Sequence, residues 1–401
     1  MLDRYFLTIL VTTFLVNTMY GLAAPFLPAL LEERGVASTW TGLIFGIYAI
    51  SMVVFSLITG KIVDKVGHNK IMAIGTFVMA LSIVSFAAAI YIDSNGLIIA
   101  FAIVLRILQG GASGLITTTS YSFTSQAYPD DIETVVAYVE VVVGIGCTAG
   151  PVIGSLVYEL VGFSWTFIIF GVLMTPSCVF VCCIGKPSDV RKKRKHVEAE
   201  SDTKAAGRDS ASSAPDNSVT NLLYIGHDDD ESQTKLSVLG KDVTYCQLLC
   251  TPRVLFSGMT ACIVNFVYSV FEPTLSLRLT EFGMSQTYQG LVIGIIPIFY
   301  MLGSILNHWI FPKWIETRVI LMTGALILAF SVPLAGPFFE EKNTAAMLAG
   351  LVVSGSMLGP MVIPVMAEMM RATKLAFPES NPEQANSLLS AILNCNFGAG
   401  Q

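Results

Sequence analysis

Long apolar runs, separated by short polar turns, dominate the pattern of residues along this chain. A helix needs about 20 apolar residues to cross the hydrocarbon core of a bilayer, and ten runs reach that length. The pattern therefore predicts an all-α membrane protein, with an eleventh span beginning near Ala385. The predicted spans are 5–31, 41–63, 70–92, 97–125, 134–160, 163–185, 253–279, 288–311, 318–339 and 344–370.

One polar segment, at about 186–245, interrupts the pattern. It opens with the basic run Arg191–Lys195, is rich in Ser, Ala and Asp, and includes the acidic run Asp228–Glu231. Such a composition cannot bury a core, so it predicts a largely disordered linker. The chain would then consist of an N-terminal six-helix bundle, a linker and an incomplete C-terminal bundle, at 1–185, 186–250 and 251–401.

Basic residues concentrate on one side of the predicted spans. Cytoplasmic loops of membrane proteins carry an excess of Lys and Arg. With the linker placed in the cytoplasm, that side holds Lys61, Lys65, Lys70, Lys313, Arg318, Arg371 and Lys374. The opposite side holds only Arg34, Arg278 and Lys342. The bias predicts a cytoplasmic N-terminus and a cytoplasmic linker.

An internal repeat relates the two halves at an offset of 248 residues, since Gly42–Ile47 aligns with Gly290–Ile295. The same register pairs Pro25 with Pro273, Ser56 with Ser304, and Lys65 with Lys313. Repeated halves joined by a long loop are typical of secondary transporters. A receptor would not explain ten spans with a half-chain repeat.

Composition narrows the classes further. The chain is 53% hydrophobic and 13% charged, with a mean hydropathy of +0.67, which is too apolar for a soluble fold. A net charge of −6 argues against nucleic acid as a partner. The four histidines are not clustered and the eight cysteines lack zinc-site spacing, so we expect no metal, no cofactor and no enzymatic site.

A loop bearing glycines and charges follows span 2. Its first glycine permits close helix approach, its acid can lie at a helix N-terminus, and its lysines mark the cytoplasmic face. The loop is either a latch between helices or an ordinary charged turn. Its residues of interest are Gly60, Asp64, Lys65, Gly67 and Lys70.

Two further patterns lie within spans 4 and 5. An arginine in a bilayer-spanning helix costs about 2.5 kcal/mol or more unless it faces protein or water. Arg106 therefore needs a partner, and none is near it in sequence. Gln109 is a second candidate functional residue in this span. Small residues at four-residue spacing in span 5 favour close helix packing, and a proline adds a kink. These residues are Gly146, Gly150, Pro151 and Gly154.

Three glutamates lie inside apolar spans, namely Glu140, Glu272 and Glu368. A carboxylate in a membrane is disfavoured when ionised, so each is a candidate to hold a proton or to balance a cation. A protonated glutamate bonded to a neighbouring helix is the structural alternative for each. Candidate cavity-lining residues are Asn17, Tyr20 and Pro273, and core packing explains the first two equally well.

These motifs resemble those of the major facilitator superfamily. Residues 60–70 resemble its loop signature, 106–110 match its R-x-x-Q-G pattern, and 144–155 resemble its antiporter signature. In that family the loop latches one conformation. The resemblance also implies a proton-coupling role for Arg106, with a purely structural donor as the alternative.

Longer strings resemble one branch of that superfamily. Phe271–Leu277, Leu351–Gly355 and Glu140 four residues before Gly144 resemble the vesicular amine transporter (solute carrier 18) family, most closely its polyamine branch. The resemblance implies import of organic cations into acidic vesicles in exchange for luminal protons. The monoamine and acetylcholine branches carry an aspartate in span 1, whereas Val16–Tyr20 contains no acid.

The resemblance implies the major facilitator fold, with two pseudo-symmetric six-helix bundles. We expect the second bundle to be truncated after about 10–11 helices. We predict a monomeric, proton-coupled antiporter of polyamine-like organic cations in a vesicle membrane. Its partners would be the cation, protons and lipid. The alternative is a multidrug or other organic-solute exporter at the plasma membrane.

Overall fold

The fold is a bundle of long helices. The computed structural model describes residues 4–22, 27, 30–31, 34–183, 185–192, 241–281, 286–309, 317–336 and 344–401. Among the described residues, the labelled helices begin with α1 (Arg4–Leu22), α2 (Ser38–Val66), α3 (His68–Phe86), α4 (Asn95–Ala127), α5 (Ile132–Cys182) and α6 (Tyr245–Leu249). They continue with α7 (Pro252–Glu281), α8 (Gln286–Ile293), α9 (Ile295–Trp309), α10 (Thr317–Ala335), α11 (Thr344–Ala376) and α12 (Pro382–Gly400).

The helices follow the predicted spans with a few differences. α1 covers residues 4–22 of the predicted span 5–31; residues 27, 30 and 31 of that span are also helical, and 23–26 and 28–29 lie outside the described residues. The predicted span 288–311 is divided into α8 and α9. Both ends of the predicted linker are helical, at 187–192 and in α6, while 193–240 lie outside the described residues.

Gly162 divides α5 into two spans, as the sequence predicted. Its φ of 77° and ψ of 178° are accessible to glycine and strained for other residues. The first part of α5 packs along α1, and the second part packs along α3, where Phe167 stacks on Phe86 with ring centroids 5.4 Å apart. The Cys178 thiol donates to the carbonyl of Ala73, so the second part runs antiparallel to α3.

Small residues allow α1 and α5 to cross closely. A Cβ atom at Gly146 would lie 2.7 Å from the carbonyl oxygen of Phe14, and one at Gly150 would lie 2.5 Å from that of Thr18. Pro151 contacts Gly21 from the same face, and Gly154 is buried. The glycines of span 5 therefore serve backbone-to-backbone packing, as predicted.

Equivalent helix pairs in the two halves share one packing feature. In α2, the Ser56 side chain lies against Gly114 of α4, and in α9 the Ser304 side chain lies against Gly359 of α11. Ser56 and Ser304 are the pair aligned by the sequence repeat, and both are buried. The repeat therefore corresponds to a repeated helix–helix contact.

The outer surface of the bundle is apolar. Large side chains such as Phe77, Leu97, Met322 and Phe330 are at least 60% exposed, which would favour aggregation in water and suits contact with lipid. Among the described residues, seven helical stretches are long and apolar enough to cross a bilayer, and two shorter apolar helices lie at Leu291–Asn307 and Val319–Ala335. The chain is a multi-pass membrane protein.

Candidate functional site

A cavity of about 110 Å³ lies in the centre of the bundle, between the two halves of the chain. The N-terminal half contributes α1, α2, α4 and α5, and the C-terminal half contributes α7, α9, α11 and α12. Its polar lining comprises Thr13, Asn17, Tyr20, Tyr48, Ser113, Thr117, Ser120, Tyr121, Glu140, Cys147, Asn265, Tyr268, Tyr300, Asn394 and Gln401. The predicted lining residues Asn17 and Tyr20 are both present.

Among the described lining residues, Glu140 is the acidic one. It is buried on α5 and accepts two hydrogen bonds, from the Tyr121 hydroxyl to Oε1 and from the Tyr300 hydroxyl to Oε2, each 2.5 Å long. Tyr121 lies on α4 in the same half, whereas Tyr300 lies on α9 in the other half. The carboxyl group thus connects the two halves across the cavity.

The sequence predicted Glu140 but not its two tyrosine partners. Ser113, Thr117 and Tyr121 follow one another at four-residue spacing in span 4, which places them on one helix face. That polar stripe was the available signal for α4. Tyr300 had no comparable signal, because only packing of the two halves brings α9 to α5.

Aromatic rings and amides form the rest of the polar lining. The rings of Tyr20 and Tyr48 pack with centroids 5.2 Å apart. The Asn17 amide donates to the carbonyl of Thr13 at 2.8 Å, and the Asn265 amide donates to that of Ala261 at 3.3 Å. Because backbone carbonyls only accept, these bonds fix the amide nitrogens and turn the amide oxygens away from them. A cation would find acceptors and ring faces here.

The other two predicted acids are placed differently. Glu272 and Pro273 belong to α7, and their side chains lie outside the described part of the structure. Glu368 on α11 does not line the cavity. It accepts hydrogen bonds from Arg253 at 3.2 Å and from Arg371 at 3.1 Å. The structure therefore brings Glu140, and not Glu368, to the cavity.

Arg106 is buried on α4 close to the cavity. Its Nη1 donates to Gln109 Oε1 at 3.3 Å, so the expectation of no partner nearby in sequence was wrong. Its guanidinium group also lies 4.6 Å from the ring centroid of Phe45 and 5.7 Å from that of Tyr48. Cation–π contacts of this kind stabilise a desolvated guanidinium. Through Tyr48, Arg106 supports one wall of the cavity.

The loop motif lies where the halves meet at one end of the bundle. We call this the basic end, because Lys65, Lys70 and Lys374 are exposed there. Asp64 Oδ1 accepts from Gln126 Nε2 at 3.0 Å and from the Ser387 hydroxyl at 2.9 Å. Gly67, between α2 and α3, has a φ of 102°, which favours glycine.

Several further contacts join the two halves at the basic end. The Ser122 and Ser387 hydroxyls lie 2.7 Å apart, and Gln126 Nε2 also bonds to Ser387 at 2.9 Å. Arg371 of α11 donates to Glu133 of α5 at 2.9 Å. Since Ser387 and Arg371 belong to the C-terminal half, the two halves are joined here by hydrogen bonds and by an ion pair.

Both the sequence and the fold of this chain match a known superfamily. The sequence profile of the Major Facilitator Superfamily matches residues 9–400. The chain belongs to this superfamily. A crystal structure of a D-xylose-proton symporter superposes with a TM-score of 0.66 at 13% identity, covering 99% of this chain and 89% of that one. The predicted major facilitator fold is therefore confirmed.

Curated relatives include several transporters. The MFS-type transporter SLC18B1 of Mus musculus is 27% identical over 359 residues, covering 88% of this chain and 68% of that protein. The Chromaffin granule amine transporter of Homo sapiens is 24% identical over 346 residues, covering 84% and 54%. The Multi-drug resistance efflux pump PmrA of Streptococcus pneumoniae is 27% identical over 179 residues, 43% of each chain. The predicted resemblance to solute carrier 18 is confirmed.

Proposed function

We propose that this transporter exchanges a small, polyamine-like organic cation for protons across an intracellular vesicle membrane. The basic end faces the cytoplasm, because cytoplasmic loops of membrane proteins are rich in Lys and Arg. The chain acts as a monomer, since the cavity lies within one chain. Residues 1–185 form the first bundle and those from 251 onward belong to the second.

The observation that carries this proposal is the placement of Glu140. It is the acidic group among the described lining residues of a cavity between two related halves. A carboxylate surrounded by tyrosine rings and amide oxygens attracts a positively charged solute and disfavours an anion. The same carboxyl group can hold a proton when the cation has left.

The cycle follows from this competition. With the cavity open to an acidic lumen, a proton binds the carboxyl group of Glu140 and the cation leaves. With the cavity open to the less acidic cytoplasm, the carboxyl group loses its proton and binds the next cation. We assign Glu272, one helical turn after Tyr268 in sequence, to the same cation path. Alternation between the two openings requires the halves to rock about the central site.

The remaining predicted residues act around this site. Arg106 and Gln109 hold the α2 wall of the cavity through Tyr48. Asp64, with the glycines and lysines of its loop, latches the closed basic end. Glu368 belongs to the ion-pair cluster at that end, so we assign it to closure and not to cation binding.

Relatives support the amine part of the proposal. One similar protein is named the Chromaffin granule amine transporter, and another is named the MFS-type transporter SLC18B1. The lining of the cavity also supports it, because ammonium groups can bind carboxylate, amide and aromatic acceptors.

A direct test is uptake of radiolabelled spermidine into proteoliposomes with an acidic interior. The purified protein should accumulate spermidine above the level in liposomes whose proton gradient has been collapsed with nigericin. Equal uptake with and without the gradient would contradict proton coupling. Absence of any spermidine flux would contradict the assignment of a polyamine substrate.

A multidrug exporter is the second candidate function, and the similarity to PmrA favours it. An exporter of this type would move planar lipophilic cations such as ethidium at a rate that spermidine does not inhibit. The two candidates separate in one competition assay. Inhibition of ethidium flux by spermidine supports the polyamine site, and ethidium flux unaffected by spermidine supports the exporter.

A further inference from the structure

The short helix α6 connects the end of the linker to the basic end of the bundle. Thr244 and Gln247 cap it reciprocally, since the Thr244 side chain accepts from the Gln247 amide and the Gln247 side chain accepts from the Thr244 amide. This capping box stabilises the first turn of a helix that has only five residues. Residues of the segment itself therefore specify where α6 begins.

The segment that leads into α6 is fixed to the C-terminal half. The Lys241 amide donates to the Glu379 carbonyl at 3.0 Å, and its ammonium group lies 2.9 Å from the Glu379 carboxylate. The Val243 amide donates to Gln384 Oε1 at 3.3 Å, and the Val243 side chain is buried. These contacts tie α6 to the loop between α11 and α12.

Tyr245 extends from α6 to the other half. Its hydroxyl donates to the Leu57 carbonyl of α2 at 2.8 Å, and Lys61 Nζ lies 5.4 Å from its ring centroid. Burial raises the pKa of the Tyr245 hydroxyl above its usual range, so this group remains a donor throughout the physiological pH range. One side chain thus links a segment fixed to α12 with the C-terminal part of α2.

Gly60 leaves the space in which this contact forms. A Cβ atom at position 60 would meet the Tyr245 hydroxyl and would lie 2.5 Å from Cβ of Ala391 on α12. The first glycine of the loop motif therefore admits both Tyr245 and α12 against α2. The glycine by itself predicts a close approach of helices, whereas the position of Tyr245 follows only from the tertiary structure.

We propose that Tyr245 is a positioning residue of the transport cycle, which holds the basic end closed by joining the linker-proximal helix α6 to α2 beside Gly60. Opening the basic end separates α2 from α12, so it must break the bond between Tyr245 and Leu57. The inference rests on the proposed function only in requiring the halves to rock. It does not depend on which solute is carried.

The test is hydrogen exchange of the purified protein in lipid nanodiscs, without substrate. Tyr245→Phe removes the hydroxyl and keeps the ring. We expect backbone amides at 57–66 and 382–390 to exchange about two- to tenfold faster, the effect of losing one ordinary hydrogen bond. Tyr91→Phe, at an exposed tyrosine, is the matched control and should leave both segments unchanged. Unchanged exchange in Tyr245→Phe, or faster exchange throughout the chain, would overturn the proposal.

A second variant tests the role of Gly60. Gly60→Ala should accelerate exchange in the same two segments, because its methyl group displaces Tyr245 and α12. Combined with Tyr245→Phe it should add less than the sum of the two single effects, since both act on one contact. Additive effects would mean that Gly60 and Tyr245 act separately, which contradicts the proposal. Spermidine flux is not used, so a negative uptake assay leaves this test intact.

Discussion

At the scale of single residues, the cavity is organised around the carboxyl group of Glu140. Two tyrosine hydroxyls donate to it, one from each half of the chain. A hydrogen bond to a charged group contributes about 1.5–3 kcal/mol, which corresponds to a tenfold or larger effect on an equilibrium constant. Changes of single atoms at this site should therefore have measurable consequences.

Glu140→Gln should abolish gradient-driven accumulation while leaving the folded protein intact. The glutamine amide keeps the shape of the side chain but can neither hold the exchanged proton nor balance a cation. Accumulation in proteoliposomes with an acidic interior is the measurement. Glu159→Gln changes an exposed acid of the same helix and should behave like the wild type. Retained accumulation in Glu140→Gln would exclude this residue from coupling.

Tyr300→Phe should weaken binding of the cation in the cavity by about tenfold. The reason is that one of the two donors that orient the Glu140 carboxylate is lost. Apparent affinity for spermidine, measured by competition, is the readout. The matched control is Tyr288→Phe, which removes the hydroxyl of an exposed tyrosine on α8. An affinity equal to that of the wild type would show that Tyr300 does not organise Glu140.

At the scale of elements, close helix pairs position the cavity walls. α1 carries Asn17 and Tyr20, and α5 carries Glu140, so the crossing of α1 and α5 sets the distance between these groups. That crossing depends on Gly146 and Gly150, where added atoms would meet backbone oxygens. Since backbone cannot rotate away as a side chain can, the helices themselves would have to separate.

Gly146→Ala should reduce both thermal stability and transport, because its Cβ would lie 2.7 Å from the Phe14 carbonyl oxygen. Overpacking of this kind costs about 1–3 kcal/mol. Gly46→Ala is the control, since a Cβ there meets nothing within 4 Å. The midpoint temperature of unfolding in detergent distinguishes the two. Equal midpoints for both variants would mean that the α1–α5 crossing tolerates expansion.

At the scale of the whole molecule, one set of contacts joins the two halves at the basic end. Hydrogen bonds of Ser387 and the ion pair of Arg371 with Glu133 join α12 and α11 to the N-terminal half. We expect that breaking these contacts favours separation of the halves at this end.

Glu133→Gln should favour opening of the basic end modestly, because an exposed ion pair contributes about 0–1 kcal/mol. Hydrogen exchange of the backbone amides at 382–390 reports the opening, and the effect should shrink at high salt. Glu159→Gln changes an exposed acid of the same helix outside the basic end and serves as control. Equal exchange in the wild type and Glu133→Gln would show that the ion pair does not hold the two halves together at this end.

Much of the fold could be predicted from the sequence. Membrane helices are recognisable because each must bury its own backbone hydrogen bonds and present about 20 apolar residues, which is a local requirement. The same requirement predicted a break between spans 134–160 and 163–185, where Gly162 lies. The spacing of small residues in α5 predicted its close packing. The loop signature and the glycine patterns were sufficient to indicate the superfamily, which the match over residues 9–400 confirms.

What only the tertiary structure decided is which polar groups meet. All three glutamates were equivalent in sequence, yet Glu140 reaches the cavity and Glu368 pairs with two arginines. Tyr300 and Tyr245 gained their partners from helices 160 and 188 residues away. The sequence by itself determined the helices and the family, because those depend on short-range patterns. Contacts between the halves depend on long-range packing, and no local pattern specifies it.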